Sequence, residues 1–245
     1  MPFVIKYVNI CYMLSFAEFA NAVSALSISL AGFLTTLLVL FSPRHQEHWL
    51  VPNIMAIFTG LSSAYYHFSH QSFIGLILDN LFIILLLISL EHAFLRDYKK
   101  KYYPLIIGQL IAISLFFPCL FIGGPDLANQ RLILDFRCSD LFGIANGFVA
   151  LWVIFLDWPN FSNSTKFFAI FGAFAAIFGG FFLNFPNETI SLGFFVYHSA
   201  WHIVMALLIF YLWAFNQLRY EEETLKKLKE GLLTLDRKAV HIIRE

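Results

Sequence analysis

The sequence predicts an all-α membrane protein of seven spans. Three observations carry that: a shortage of charge, long apolar runs at regular intervals, and Lys and Arg gathered on one side. Only 13% of the 245 residues are charged while 59% are hydrophobic, against about 25% charged in an ordinary soluble domain. The mean hydropathy is +0.72, and the remaining charges cluster in short gaps and in the last thirty or so residues. The formal net charge of zero and the lack of a basic patch among exposed aromatics give no indication of a nucleic-acid partner.

A hydrocarbon core of ~30 Å needs about 20 apolar residues per helix. Runs of that kind fall at 17–41, 49–69, 73–95, 104–122, 141–157, 166–184 and 190–215. The gaps are short except for a polar stretch at 123–140, and a charged tail begins at Gln217. Two units follow: a seven-helix domain over 1–216, and a helical tail over 217–245 with Leu225, Leu228, Leu232 and Leu235 at helical spacing. The N-terminus lacks the basic region, apolar core and small-residue site of a cleavable signal peptide.

Orientation follows from the basic residues. The N-terminal side of the membrane carries Lys6, Arg131 and Arg137. The opposite side carries Arg44, Arg96, Lys99, Lys100, Lys101, Lys166 and seven more in the tail. The N-terminus is therefore expected outside or in a lumen and the tail in the cytoplasm. The membrane would be that of the endoplasmic reticulum or Golgi in a eukaryote, or the inner membrane in a bacterium.

Against this apolar background, ionisable residues inside the runs stand out, because each costs at least ~2.5–3.5 kcal/mol at the bilayer centre. Ser63 and His67 lie four residues apart near the end of the second run. Asp79 and Asn80 lie in the third, and His198 and His202 are four apart in the seventh. Such spacing puts both members of a pair on one helix face and lets two imidazoles converge on one ion. With the predicted orientation, all of these residues fall in the outer half of the membrane. His70 is an alternative ligand one turn beyond His67; Ser63 on the same face favours His67. Glu91 and His92 read as interfacial, and His45, His48 and His241 as solvated. Cys11, Cys119 and Cys138 show no CxxC spacing; all three map to the outer side, where one disulfide is possible.

The stretches Ala17-Glu18-Phe19-Ala20-Asn21-Ala22-Val23-Ser24, Ser63-x3-His67, Leu78-Asp79-Asn80-Leu81 and His198-x2-Trp201-His202-Ile203 resemble, in this order, the alkaline ceramidases. That family belongs to a wider superfamily holding the progestin and adipoQ receptors, haemolysin-III-like proteins and lipid-remodelling hydrolases. The resemblance implies zinc held by His67, His198 and His202, an Asp79 that handles the activated water, and a Ser63 that stabilises the oxyanion. The chemistry agrees, since three neutral imidazoles leave zinc an open position that lowers the pKa of water to about 7. The family's acidic, Trp-rich calcium segment is altered here. Val4 and Tyr7 stand where carboxylates are expected, leaving Glu18 and Asn9, with Asn21 nearby, as the remaining calcium candidates and arguing against a complete calcium site. The family's Asp-Glu pair in the third run is Asp79-Asn80.

The expected activity is zinc-dependent cleavage of ceramide, or a related sphingolipid, to a long-chain base and a fatty acid. The expected partners are the bilayer and its lipid substrate, with no obligate protein partner evident. Two alternatives stay open: an acyl-ester hydrolase of phospholipids or lipid anchors, suggested by Tyr197-His198-Ser199-x-Trp201-His202, and a non-catalytic seven-helix receptor.

Overall fold

The computed structural model describes residues 16–42, 46–69, 72–98, 131–133, 136–137, 154–155, 158–183, 191–192 and 195–244. Its architecture is helical. The long elements are α1 (Phe16–Leu40), α2 (Leu50–Phe68), α3 (Phe73–Tyr98), α4 (Asn163–Leu183) and α5 (Tyr197–Arg244). Short antiparallel ladders join β1 (Arg131–Ile133) to β2 (Phe136–Arg137) and β3 (Ser191–Leu192) to β4 (Phe195–Val196). Three helices are long and apolar enough to cross a membrane, covering Ala17–Leu40, Phe73–Asp97 and Tyr197–Thr234. The chain is a membrane-embedded helical protein. The expected runs at 104–122 and 141–157 lie essentially outside the described residues, as do Cys11, Cys119, Cys138, His45 and His70.

Helix starts follow local chemistry. Ser72 caps α3 by accepting a hydrogen bond from the Gly75 backbone N–H at 3.1 Å, and Ser162 caps α4 through the Thr165 N–H at 3.2 Å. Helix α1 packs against α2 and α5, α2 against α3, and α4 against α5. The buried stripe of α1, Asn21, Ala25, Ile28, Ala31, Thr35 and Val39, repeats at three- and four-residue steps, as one face of a helix must. The opposite face turns Leu30 and Phe33 outward, as suits a lipid-facing surface.

With no hydrophobic gain from sequestering side chains away from lipid, helices in a bilayer associate through close packing of small residues and hydrogen bonds. The α1–α2 crossing is built this way from both sides. A Cβ on Gly60 would stand 2.5 Å from the Ser29 backbone N and 2.7 Å from the Ala25 carbonyl O. One on Gly32 would stand 2.7 Å from the Asn53 carbonyl O and 2.8 Å from the Ile57 N. These are backbone atoms and cannot swing aside. The same crossing carries a hydrogen bond from the Ser29 hydroxyl to the Ile57 carbonyl at 2.8 Å.

At the far end from the α1 start, the helices are tied by a buried polar network. Asp97, near the end of α3, accepts from His48 Nε2 at 2.6 Å, from Trp49 Nε1 at 3.0 Å, and from Arg219 and Tyr220 of α5. His48 is therefore enclosed rather than solvated as expected, because the start of α2 folds it against the Asp97 carboxylate, 4% exposed. Beneath the network lies an apolar cluster of Val39, Trp49, Ala93, Phe94, Phe161 and Phe215. Glu91, read as interfacial, is buried within the protein. It shares a buried stripe with Ile84 and Leu95 and is 4% exposed, while neighbouring His92 points outward.

The expected boundary at Gln217 does not appear as a break. Helix α5 runs unbroken through it, and the first residues of the expected tail belong to the body. Gln217 Nε2 donates to Gln46 Oε1 at 2.6 Å, and Glu222 accepts from the Thr165 hydroxyl at 2.5 Å and the Ser162 N–H at 3.2 Å. Only beyond this turn does the helix become exposed, with Leu225, Leu228 and Leu232 at 60–66%.

Two stability outcomes follow. Gly60→Ala should separate α1 from α2 and cost about 1–3 kcal/mol, the range for overpacking, seen as a lower unfolding temperature in detergent; Gly231→Ala, where an added Cβ meets nothing within 4 Å, should leave it unchanged or higher. Asp97→Ala leaves Arg219, 11% exposed, without its carboxylate, and should cost about 3–5 kcal/mol. Asp97→Asn, which keeps acceptor and shape, should cost less in the same measurement.

Candidate metal centre

The polar residues at this end of the helices come together because α2 runs opposite to α1, α3 and α5. His67 is the penultimate residue of α2, while Glu18, Asp79 and His198 follow closely on the starts of α1, α3 and α5. The short α2–α3 connection, held by a Ser69–Ser72 hydroxyl contact at 2.7 Å, keeps His67 and Asp79 at one level.

His67, His198 and His202 each present a ring nitrogen to a common point, with these atoms all within 4.8 Å of one another. His67 Nε2 and His198 Nε2 are 3.2 Å apart. Two nitrogens bound to one tetrahedral zinc at ~2.0–2.1 Å would stand roughly 3.3 Å apart, so this edge of the triangle already has a ligand-pair length. His67 and His202 are 3% and 0% exposed, and the Trp201 ring lies against His198 and His202 with centroids at 5.3 and 4.9 Å. Three nitrogen donors in so enclosed a place form a site that could hold a metal ion.

Ser63, 2% exposed, places its hydroxyl 3.2 Å from His202 Nε2. Asp79 faces the same point, with its carboxyl beside the Ser63 hydroxyl and within electrostatic reach of His67. One of its oxygens, Oδ1, is buried with no hydrogen-bond partner among the described residues. A buried acceptor without a donor costs about 1–3 kcal/mol or more, and such an orphan beside three imidazoles suits a bound water or polar substrate group. Asn80, by contrast, turns its amide back to the Leu76 carbonyl at 2.8 Å and takes no part.

All five residues singled out in the sequence, Ser63, His67, Asp79, His198 and His202, thus meet at one end of the helices. Asn9 lies outside the described residues. Glu18, a calcium candidate in the sequence, instead points its Oε2 at His67 Nδ1 from 2.6 Å. Two participants, Ser24 and Ser199, were given no role in the sequence reading, and Asn21 entered it only beside the calcium candidates. Ser24 touches His202 Nδ1 at 2.9 Å, and the Ser199 hydroxyl donates to Asn21 Oδ1 at 2.8 Å, bracing α5 against α1. Their signal was the three- and four-residue spacing of polar residues in the first run, which puts Glu18, Asn21 and Ser24 on neighbouring turns of one helix.

No family model, no curated protein and no solved structure matches this chain.

The metal-free chain should take up one metal ion per molecule. His198→Ala should remove that stoichiometric ion by elemental analysis, whereas His92→Ala, whose ring points outward on α3, should keep it.

Proposed function

We propose that this protein is a zinc-dependent hydrolase of lipid amides, with ceramide or a related sphingolipid as substrate. The reading has a seven-helix body, its N-terminus on the outer or lumenal face and its C-terminus in the cytoplasm. The three membrane-capable helices and the one-sided distribution of Lys and Arg support that topology. The observation that carries the function is the convergence of His67, His198 and His202 with Ser63 and Asp79 alongside.

The donor set suits zinc, since three imidazole nitrogens with an open fourth position are the ligands of a catalytic zinc rather than of calcium or magnesium, which take oxygen. Bound there, zinc would supply a Lewis acid that polarises a carbonyl and lowers the pKa of water to about 7. The chain's own residues would do the rest. Asp79 Oδ1, buried and without a donor, is placed to accept a proton from the attacking water and to return it to the departing amine, a task worth 10²–10⁴-fold in general acid–base catalysis. The Ser63 hydroxyl would donate to the oxygen that gains charge as the amide carbonyl is attacked. Its burial between α2 and α5 fixes that donor before the substrate arrives. The site's place near the outer helix ends would let a lipid keep its chains in hydrocarbon while its linkage reaches the polar groups.

The same groups would also cleave an ester, and Tyr197-His198-Ser199-x-Trp201-His202 favours that as the second reading. Purified protein should hydrolyse a fluorescent ceramide in a zinc-dependent way. Asp79→Asn should lower turnover by about 10²–10⁴-fold, and His198→Ala should abolish it. A panel of amide and ester lipids ranks the two readings by rate. Absence of turnover with added zinc, together with stoichiometric zinc and saturable lipid binding, would leave a receptor instead.

A further inference from the structure

Metal ligation by histidine depends on which ring nitrogen carries the proton, and that is set by the partner of the other nitrogen. Helix α1 supplies that partner twice. Glu18 Oε2 stands 2.6 Å from His67 Nδ1. A carboxylate only accepts, so Nδ1 of His67 carries the proton and Nε2, the atom 3.2 Å from His198 Nε2, keeps its lone pair.

The partner of His202 is Ser24, whose hydroxyl has a single proton. That hydroxyl lies 2.9 Å from the Asn21 carbonyl and 2.9 Å from His202 Nδ1. With the Ser24 proton on that carbonyl, the Ser24 oxygen accepts from His202 Nδ1–H. His202 Nε2 is then bare, on the side where Ser63 stands 3.2 Å away.

We infer that α1 is the positioning element of the metal centre: Glu18 and Ser24 fix the Nδ1–H tautomers of His67 and His202, so that both rings offer Nε2 to one zinc ion. Glu18 and Ser24 lie six residues apart, nearly two turns. Each therefore meets a ring from a different helix, Glu18 on α2 and Ser24 on α5. Asn21, between them and 0% exposed, holds Ser199 of α5 and keeps the helix in register. A carboxylate opposite a ligating imidazole also raises the basicity of the ring, and loss of such a partner typically lowers metal affinity 10–100-fold. This assignment rests on the zinc reading above, and it gives the Oε2 of Glu18 to His67 rather than to a calcium site.

The test uses the full chain, purified, stripped of metal and titrated with zinc against a competing chelator. Glu18→Ala and Ser24→Ala should each weaken zinc binding about 10–100-fold, and Glu18→Gln, which keeps an acceptor, should recover part of the loss. Each variant's loss of zinc affinity should exceed what any fall in its metal-free unfolding temperature accounts for, which a merely structural role would not allow. Nitrogen-15 spectra of the parent should show protonated Nδ1 in His67 and His202; should Glu18→Ala fail to fold, Ser24→Ala and these spectra carry the test. Parent-like zinc affinity in both alanine variants, or protons on Nε2, would overturn the assignment while leaving the zinc site standing. A parent chain that binds no zinc would overturn the zinc reading itself.

Discussion

Every polar side chain placed among these helices has to find a partner, because hydrocarbon offers none, and this requirement organises the molecule. The partners are gathered at two levels. One holds Glu18, Ser24, Ser63, His67, Asp79, His198 and His202; the other holds His48, Trp49, Asp97, Arg219 and Tyr220. Along α5 the levels are separated by the seventeen residues from His202 to Arg219, or about 26 Å at 1.5 Å per residue. That is close to the ~30 Å of a hydrocarbon core. Between them most contacts are apolar or use hydroxyls that satisfy themselves on a nearby carbonyl, as Thr35 does on Ala31 at 2.9 Å; Glu91, whose buried carboxyl has no hydrogen-bond partner among the described residues, departs from this pattern.

The two levels do different work. At the Asp97 level the groups neutralise one another: the Asp97 carboxylate is filled by four donors, and Arg219 also donates to Asn216 Oδ1 at 3.3 Å. At the histidine level the polar groups are not all satisfied. His67, His198 and His202 crowd their nitrogens together, and Asp79 Oδ1 has no donor. Unfavourable in itself, that arrangement is what a metal and a water would relieve. The packing between the levels keeps it from collapsing, since the Gly32 and Gly60 contacts fix how closely α1 and α2 approach.

Helix existence was legible because it depends on composition and length: the runs at 17–41, 49–69, 73–95 and 166–184 correspond to α1, α2, α3 and α4 within a few residues. The seventh run was legible in its apolar part, but its ends were not. Ser191–Leu192 and Phe195–Val196 pair as strands before the helix begins at Tyr197, and no break marks the change to charged sequence at Gln217. A helix continues as long as its backbone bonds are made, whatever its side chains meet, so a hydropathy boundary need not be a structural one. The metal triad was legible because residues four apart on one helix must share a face. Glu18 and Ser24 were harder to see, because their partners are forty-nine and one hundred and seventy-eight residues away and only the packing of α1 on α2 and α5 brings them together. His48 shows the same limit: the residues before it are polar, yet Asp97 encloses it.

The position of Asp79 sharpens the difference between the levels. Asp97 and Asp79 sit on the same helix eighteen residues apart, five turns at 3.6 residues per turn, and so project from the same side of α3. One meets Arg219 and the other meets imidazoles. An arginine carries a permanent charge and a fixed fork of donors, which saturates a carboxylate and leaves it inert. Neutral imidazoles facing a common point offer lone pairs instead, so they cannot saturate Asp79, and its Oδ1 remains able to take a proton from something that enters. The same side chain on the same face of one helix is thus a structural tie at one level and a candidate base at the other, and the difference lies wholly in what the neighbouring helices bring to it.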